Sequence, residues 1–363
     1  MQTFLIIIIA VAFGIVFERY YFCMNSAITD TILISDTRKL KGLIAAVLAS
    51  AILFNTLIGF ELIKTTRWPL LPTAVFGGIF FGIGMNLAGG CVSGTLFKMG
   101  QGYIASFVAF IGIALGLGAV GGAMSFMPAS SGGGAGGGAA TGGGSKPFAA
   151  TLPLMLEVNP LFFAGLAAVI SGVIFFIWSR QSRKDKCQDV WITPESEKGT
   201  KLRIKTPNFI IGGILIAVLN TVFFIVKKEP LGLSGLMIYI PSQLAHLIND
   251  NWASQNWMFG RFLRMSSHVI MTVTGILFIA GAFLSAFMSG RFHLRFPIRR
   301  QAISGLIGGF LMGISIPLMW GCNATHILGN LPQFSIAGII STLSIVFGAW
   351  LGTKITARLA LHK

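Results

Sequence analysis

The chain has 363 residues, of which 54% are hydrophobic and only 10% charged, too few charges to cover a soluble domain of this size. Its formal net charge of +16 comes from 27 basic and 11 acidic residues. The basic residues crowd into short connections between apolar runs, which excludes a nucleic-acid surface and marks cytoplasmic loops beside anionic lipid headgroups.

Apolar runs of roughly 20 residues, long enough to cross a bilayer, recur along the whole length. The first, Thr3 to Phe17, has no basic leader and no small-residue cleavage site, and reads as a retained helix over 3–18. A shorter element over 20–34 opens at Cys23, and a helix over 42–62 follows the basic residues Arg38, Lys39 and Lys41. The next run, 73–90, stops at a Gly-Gly-Cys break, and 92–99 is a half-helix beyond it. A helix over 103–126 ends before Pro128. Residues 130–145, SSGGGAGGGAATGGGS, form a flexible linker by composition. A helix over 160–179 leads into the polar loop 180–206, which carries Arg180, Arg183, Lys184, Lys186, Lys198, Lys201, Arg203 and Lys205. Then come a helix over 208–226, a mixed segment over 230–260 with Pro241, Trp252 and Trp257, and a helix over 266–289. The basic stretch RFHLRFPIRR at 291–300 precedes a second broken pair, 302–320 and 323–331, and a last helix over 335–356.

This pattern predicts an all-α polytopic membrane protein with about nine crossings plus short broken helices. It divides into a first membrane repeat, 1–128; a linker, 129–150; a connecting helix, 151–179; a basic loop, 180–206; and a second membrane repeat, 207–363. The basic loops and the tail with Lys354, Arg358 and Lys363 are expected in the cytoplasm, with the N-terminus and the glycine linker outside. Lys64, Arg67, Lys227 and Lys228 fall on the outer side and weigh against that assignment.

Two stretches align without a gap: GGIFFGIGMNLAGGCVSGTLF from Gly77 and GGFLMGISIPLMWGCNATHIL from Gly308. Gly77, Gly78, Gly82, Gly90 and Cys91 fall on Gly308, Gly309, Gly313, Gly321 and Cys322, which points to duplication. By the loop charges one unit enters from outside and the other from inside, so the repeats are expected to be inverted, with a binding site at their interface.

Each break frees backbone N–H groups at the start of its second helix, where the positive end of the dipole lies. Irregular backbone at membrane depth survives only when buried or lining a cavity. Two such starts, at Cys91 and Cys322, would aim their N-termini at one centre and make an anion site of backbone. Gly90, Gly94 and Gly321 allow close approach of a ligand, and Ser93, Asn323 and Thr325 can cap or donate. The bland alternative for such glycines is helix packing.

Four cysteines occur: Cys23, Cys91, Cys187 and Cys322. None forms a CxxC pair, so no zinc pattern, other metal site or cofactor motif is expected. A buried cysteine is often only a small hydrophobe. Cys91 and Cys322 at matched breaks, with Cys23 beside Asn25, Ser26, Thr29 and Asp30, suggest a line of soft S–H donors that passes along a sulfur-bearing anion. His326, on the same half-helix face as Cys322, either assists anion or proton handling or is a packing histidine. Glu18 and Arg19 read as an interfacial pair, and Cys187 as incidental. No GxxxxGK[ST] occurs, so this chain is not expected to drive transport with ATP.

FERYYFCMNSAITD around Cys23, GIGMNLAGGCVSGTLFKMGQG around Cys91 and GISIPLMWGCNATHILGNLP around Cys322 together resemble the YeeE/YedE family, a thiosulfate-transporter-like group of membrane proteins. The resemblance implies an hourglass-shaped helical importer in the inner membrane that takes up thiosulfate for cysteine biosynthesis. It further implies that Cys91 is the central thiol, flanked by Cys23 and Cys322, and that a small SirA-like sulfurtransferase receives the sulfur inside. After Cys322 the chain reads Asn-Ala-Thr-His-Ile-Leu-Gly, where a second small-residue run is expected. Three rivals follow: transport of a selenium or other sulfur species, a membrane sulfur-transfer enzyme with a persulfide on Cys91, and a soft-metal channel.

Overall fold

A computed structural model of the protein describes residues 2–66, 72–123, 151–155, 159–182, 208–256, 259, 263 and 266–361. The glycine linker at 129–150, most of the basic loop at 180–206 with Cys187, and the residues Arg67, Pro128 and Trp257 lie outside the described residues.

The apolar runs form helices because a chain without water must satisfy its backbone internally. In order they are α1 (Gln2–Arg19), α2 (Met24–Leu33), α3 (Arg38–Gly59), α4 (Thr73–Ala88), α5 (Val92–Gly100) and α6 (Ile104–Ala123). A short turn, α7 (Leu152–Met155), precedes α8 (Pro160–Ser182) and α9 (Phe209–Lys227). The mixed segment resolves into α10 (Gly235–Ile248) and α11 (Asp250–Gln255). The chain closes with α12 (Ser266–Met288), α13 (Arg299–Met319), a π-helix (Ala324–Asn330) and α14 (Ile336–Leu361). Among the described residues, 9 segments are long and apolar enough to cross a membrane, as the sequence predicts. One of them joins α1 and α2, and another joins α4 and α5.

Glycine builds the helix bundle by letting backbones touch, the device expected where lipid removes any hydrophobic drive between helices. Four close helix pairs each use a glycine from both sides: Gly14 and Gly281 between α1 and α12, Gly42 and Gly213 between α3 and α9, Gly84 and Gly308 between α4 and α13, and Gly112 and Gly309 between α6 and α13. An added Cβ on Gly84 would meet the Gly308 carbonyl oxygen at 2.8 Å. Most glycines of the aligned stretches therefore serve packing, and only Gly89, Gly90, Gly94 and Gly321 lie at the breaks. We expect Gly309→Leu, whose Cβ would run into the Ala109 carbonyl oxygen, to destabilise the bundle. The cost should reach the upper end of the roughly 1–3 kcal/mol of an overpacked core, read as a lower Tm in detergent.

The outer surface is apolar, as lipid requires: Phe162, Val169, Phe175 and Phe176 of α8 and Phe287 and Met288 of α12 are exposed. One end of the bundle gathers basic residues. There the segment before α6 pairs with the segment before α13, through Arg295 N–H to Gly102 carbonyl (3.1 Å) and Ile104 N–H to Arg295 carbonyl (3.1 Å). At the opposite end, Leu152 N–H donates to the Phe334 carbonyl (3.0 Å) just before α14.

Candidate functional site

At the first break α4 ends on Gly89, whose left-handed φ of 71° no side-chain-bearing residue adopts cheaply. Gly90 N–H returns to the Met85 carbonyl (3.0 Å) and closes the turn. The chain then runs extended through Cys91, the N-cap of α5. The Cys91 sulfur accepts from Gly94 N–H (3.4 Å) and meets Ser93 Oγ (3.3 Å), so a thiol occupies the donor that an anion would use. Cys23 is likewise an extended N-cap, of α2. Its sulfur lies 3.7 Å from that of Cys91, and it fills the place that a Cβ on Gly94 would need (2.6 Å). The two thiols, with Gly94 and Ser93, form one fully buried cluster.

The polar run after Cys23 holds α2 in that position. Asn25 Nδ2 donates to the Met85 carbonyl (3.2 Å) and Thr29 Oγ1 to Asn86 Oδ1 (2.9 Å), tying α2 to the end of α4. Asp30 pairs with Lys39 (2.6 Å) at the basic end.

The second break is capped by Trp320 in the left-handed region (φ 61°), followed by Gly321 and Cys322. Cys322, Asn323, Thr325 and His326 are all buried, and the Cys322 sulfur contacts Thr325 Oγ1 (3.6 Å). His326 Nε2 meets the Met319 carbonyl (2.8 Å) and Nδ1 meets Asn330 Nδ2 (3.3 Å), so the ring latches the end of α13 to the π-helix. Asn323 Nδ2 donates to the Met24 sulfur (2.8 Å), which joins this break to the residue after Cys23. The expected α-helical half is instead a π-helix. From Cys322 to Ile336 the chain is one residue longer than from Cys91 to Ile104, and a π-turn is how a helix absorbs one extra residue.

Three features escaped the sequence reading. Glu18, fully buried, does not pair with Arg19. It accepts from Arg291 (2.9 Å), Ser285 Oγ (2.6 Å) and Gln101 Nε2 (3.0 Å), joining the ends of α1, α5 and α12. Lys98 folds back along α5 to donate to the Gly89 carbonyl (2.6 Å). A small cavity at the basic end has Tyr21, Cys23, Met24, Lys39 and Phe209 in its wall. The signal for Glu18 and Lys98 was their charge inside apolar segments. Among the described residues, no group of three or more His, Cys, Asp or Glu side chains is arranged to hold a metal ion.

Membrane-crossing helices, two of them broken at buried cysteines that cap the next short helix, make this a multi-pass membrane protein, and comparison with known proteins places it among transporters. The chain matches the family model described as Sulphur transport over residues 19–351, and it belongs to that family. It is 27% identical over 358 residues to the thiosulfate transporter TsuA of Spirochaeta thermophila, covering 95% of this chain and 96% of that one. It is 24% identical over 342 residues to the thiosulfate transporter TsuA of Escherichia coli K12, covering 93% and 90%. A probable transporter YedE of Escherichia coli K12 is 32% identical over 100 residues, 28% of this chain and 25% of that one.

Proposed function

We propose that the protein imports thiosulfate, or a closely similar sulfur anion, along a path that passes Cys322, Cys91 and Cys23. The observation that carries this reading is the contact of two thiols, 3.7 Å apart, at the N-caps of two short helices. The helix starts supply positive potential and N–H donors for the anion. The thiols supply soft S–H donors for its outer sulfur. Because the Cys91 sulfur already accepts from Gly94 N–H, an arriving anion exchanges one acceptor for another and leaves no buried donor bare. The Asn323–Met24 contact supports continuity from the second break to the first. The likeness to two thiosulfate transporters across most of the chain supports the substrate class.

In this reading the aligned stretches are inverted repeats that shape an hourglass within the inner membrane. Lipid surrounds the apolar faces, the N-terminus lies outside, and the basic end with the C-terminus lies in the cytoplasm. The cavity beside Cys23 is then the inner mouth, where a SirA-like sulfurtransferase would receive the product.

The test is growth on thiosulfate as the sole sulfur source of a strain unable to take up sulfate. We expect the wild-type protein to restore growth. If the protein is made and growth fails, thiosulfate is not the substrate, and a selenium or other sulfur species takes its place. A sulfur adduct on Cys91, found by mass spectrometry after thiosulfate exposure, would favour covalent sulfur transfer instead.

A further inference from the structure

We propose that Lys98 is the charge that holds the anion at the first break, and that it does so by exchanging the Gly89 carbonyl for an oxygen of the substrate. This rests on the transport reading above and adds a substrate-binding residue to it.

Lys98 is the single charged residue in the membrane segment Thr73–Gly100. A lysine there is costly unless its charge is used. The other cations around the cysteine cluster are neutralised: Lys39 by Asp30 (2.6 Å) and Arg291 by Glu18 (2.9 Å). Among the described residues, no carboxylate lies within ion-pair distance of Lys98, and its partner is the Gly89 carbonyl, a neutral dipole.

The Gly89 side of the break is accessible to a ligand. Gly89 is exposed and a Cβ built on it meets nothing, so this flank of the break is open. Gly90 leaves bare a space whose nearest atoms are Lys98 Nζ (3.6 Å) and the backbone of Gly94 and Thr95 (3.7 Å). An oxyanion that arrives at the open Gly89 flank reaches the ammonium there. Both bonds have the ammonium as donor, but only the anion adds attraction between two full charges, which a carbonyl dipole lacks, so the anion outcompetes the carbonyl. A lysine kept only to pin the turn would need its N–H donor and not its charge, which makes glutamine the discriminating substitution.

Two measurements test this on the full-length protein: thiosulfate uptake by proteoliposomes, and the rise in Tm that thiosulfate produces in detergent. We expect Lys98→Gln to keep the anion-free Tm, to lose the thiosulfate-dependent rise, and to raise the KM for uptake about tenfold or more. Lys98→Arg should recover part of both. A Lys98→Gln protein with wild-type KM and an undiminished rise overturns the role of Lys98 and leaves transport intact. A wild type stabilised by thiosulfate through Lys98 that takes none up overturns the transport reading alone. A wild type neither stabilised nor active overturns both. Should Lys98→Gln fail to fold, Gly90→Ala fills the space beside the ammonium at ordinary contact distances. The same losses are expected of it, and unchanged uptake would again remove Lys98 from the site.

Discussion

We expect Cys91→Ala to lose thiosulfate uptake and Cys91→Ser to keep the fold but transport poorly; the pair of results separates what the thiol does as a cap from what it does as a soft donor. Alanine removes the acceptor of Gly94 N–H (3.4 Å) and the neighbour of the Cys23 sulfur (3.7 Å) together. The lost cap costs about 1 kcal/mol of stability, too little to unfold the bundle. The lost donor to a charged ligand costs about 1.5–3 kcal/mol of binding, or roughly ten- to a hundredfold in uptake at low thiosulfate. Serine is a better N-cap than cysteine and restores the Gly94 bond. Its hydroxyl is hard, whereas the proposed path uses a polarisable sulfur. Uptake assays of both variants at matched expression decide the matter. If serine transports as well as cysteine, the break is an anion site of backbone and caps, and the line of thiols is wrong. If alanine also transports normally, Cys91 is only a packing residue.

The helices were legible because apolar length is written directly into composition, and the breaks because Gly-Gly-Cys and Gly-Cys are anomalies within apolar runs. What the sequence could not show depends on packing between distant residues. Cys23 and Cys91 are 68 positions apart, and nothing local says that their sulfurs touch. The same holds for Glu18 and Arg291: adjacency suggested Arg19 as the partner of Glu18, and tertiary structure chose otherwise. The π-helix was hidden for another reason, since one extra residue between Cys322 and Ile336 has no compositional signature. Glycine was ambiguous in principle. Gly90 and Gly309 sit in the same kind of motif, yet a Cβ on one would meet its neighbours at ordinary contact distance and on the other would run into a neighbouring helix backbone.

Glu18 is the position where a single truncation should do most damage. Its carboxylate is fully buried, and the Arg291 side chain opposite is 14% exposed. Burying such a pair is costly, but removing one member is worse, because the other charge stays behind without its partner. Glu18→Ala is therefore expected to destabilise the protein by about 3–5 kcal/mol. Glu18→Gln should cost less, since an amide oxygen still accepts from Ser285 or Arg291. Glu18→Ala combined with Arg291→Leu should recover much of the loss, since no charge is then left buried. Thermal unfolding in detergent reads all three, and a double variant no more stable than Glu18→Ala would show that the pair is not what holds these ends together. The effect should extend to transport. Gln101, the C-cap residue just after α5, donates to the same carboxylate (3.0 Å), so Glu18 fixes the far end of the helix whose near end is capped by Cys91. A nine-residue helix pinned at one end alone can tilt, and a tilt of that kind separates the Cys91 sulfur from Cys23. Uptake by Glu18→Gln should thus fall further than its stability does, because the carboxylate sets the geometry of the break as well as the stability of the fold.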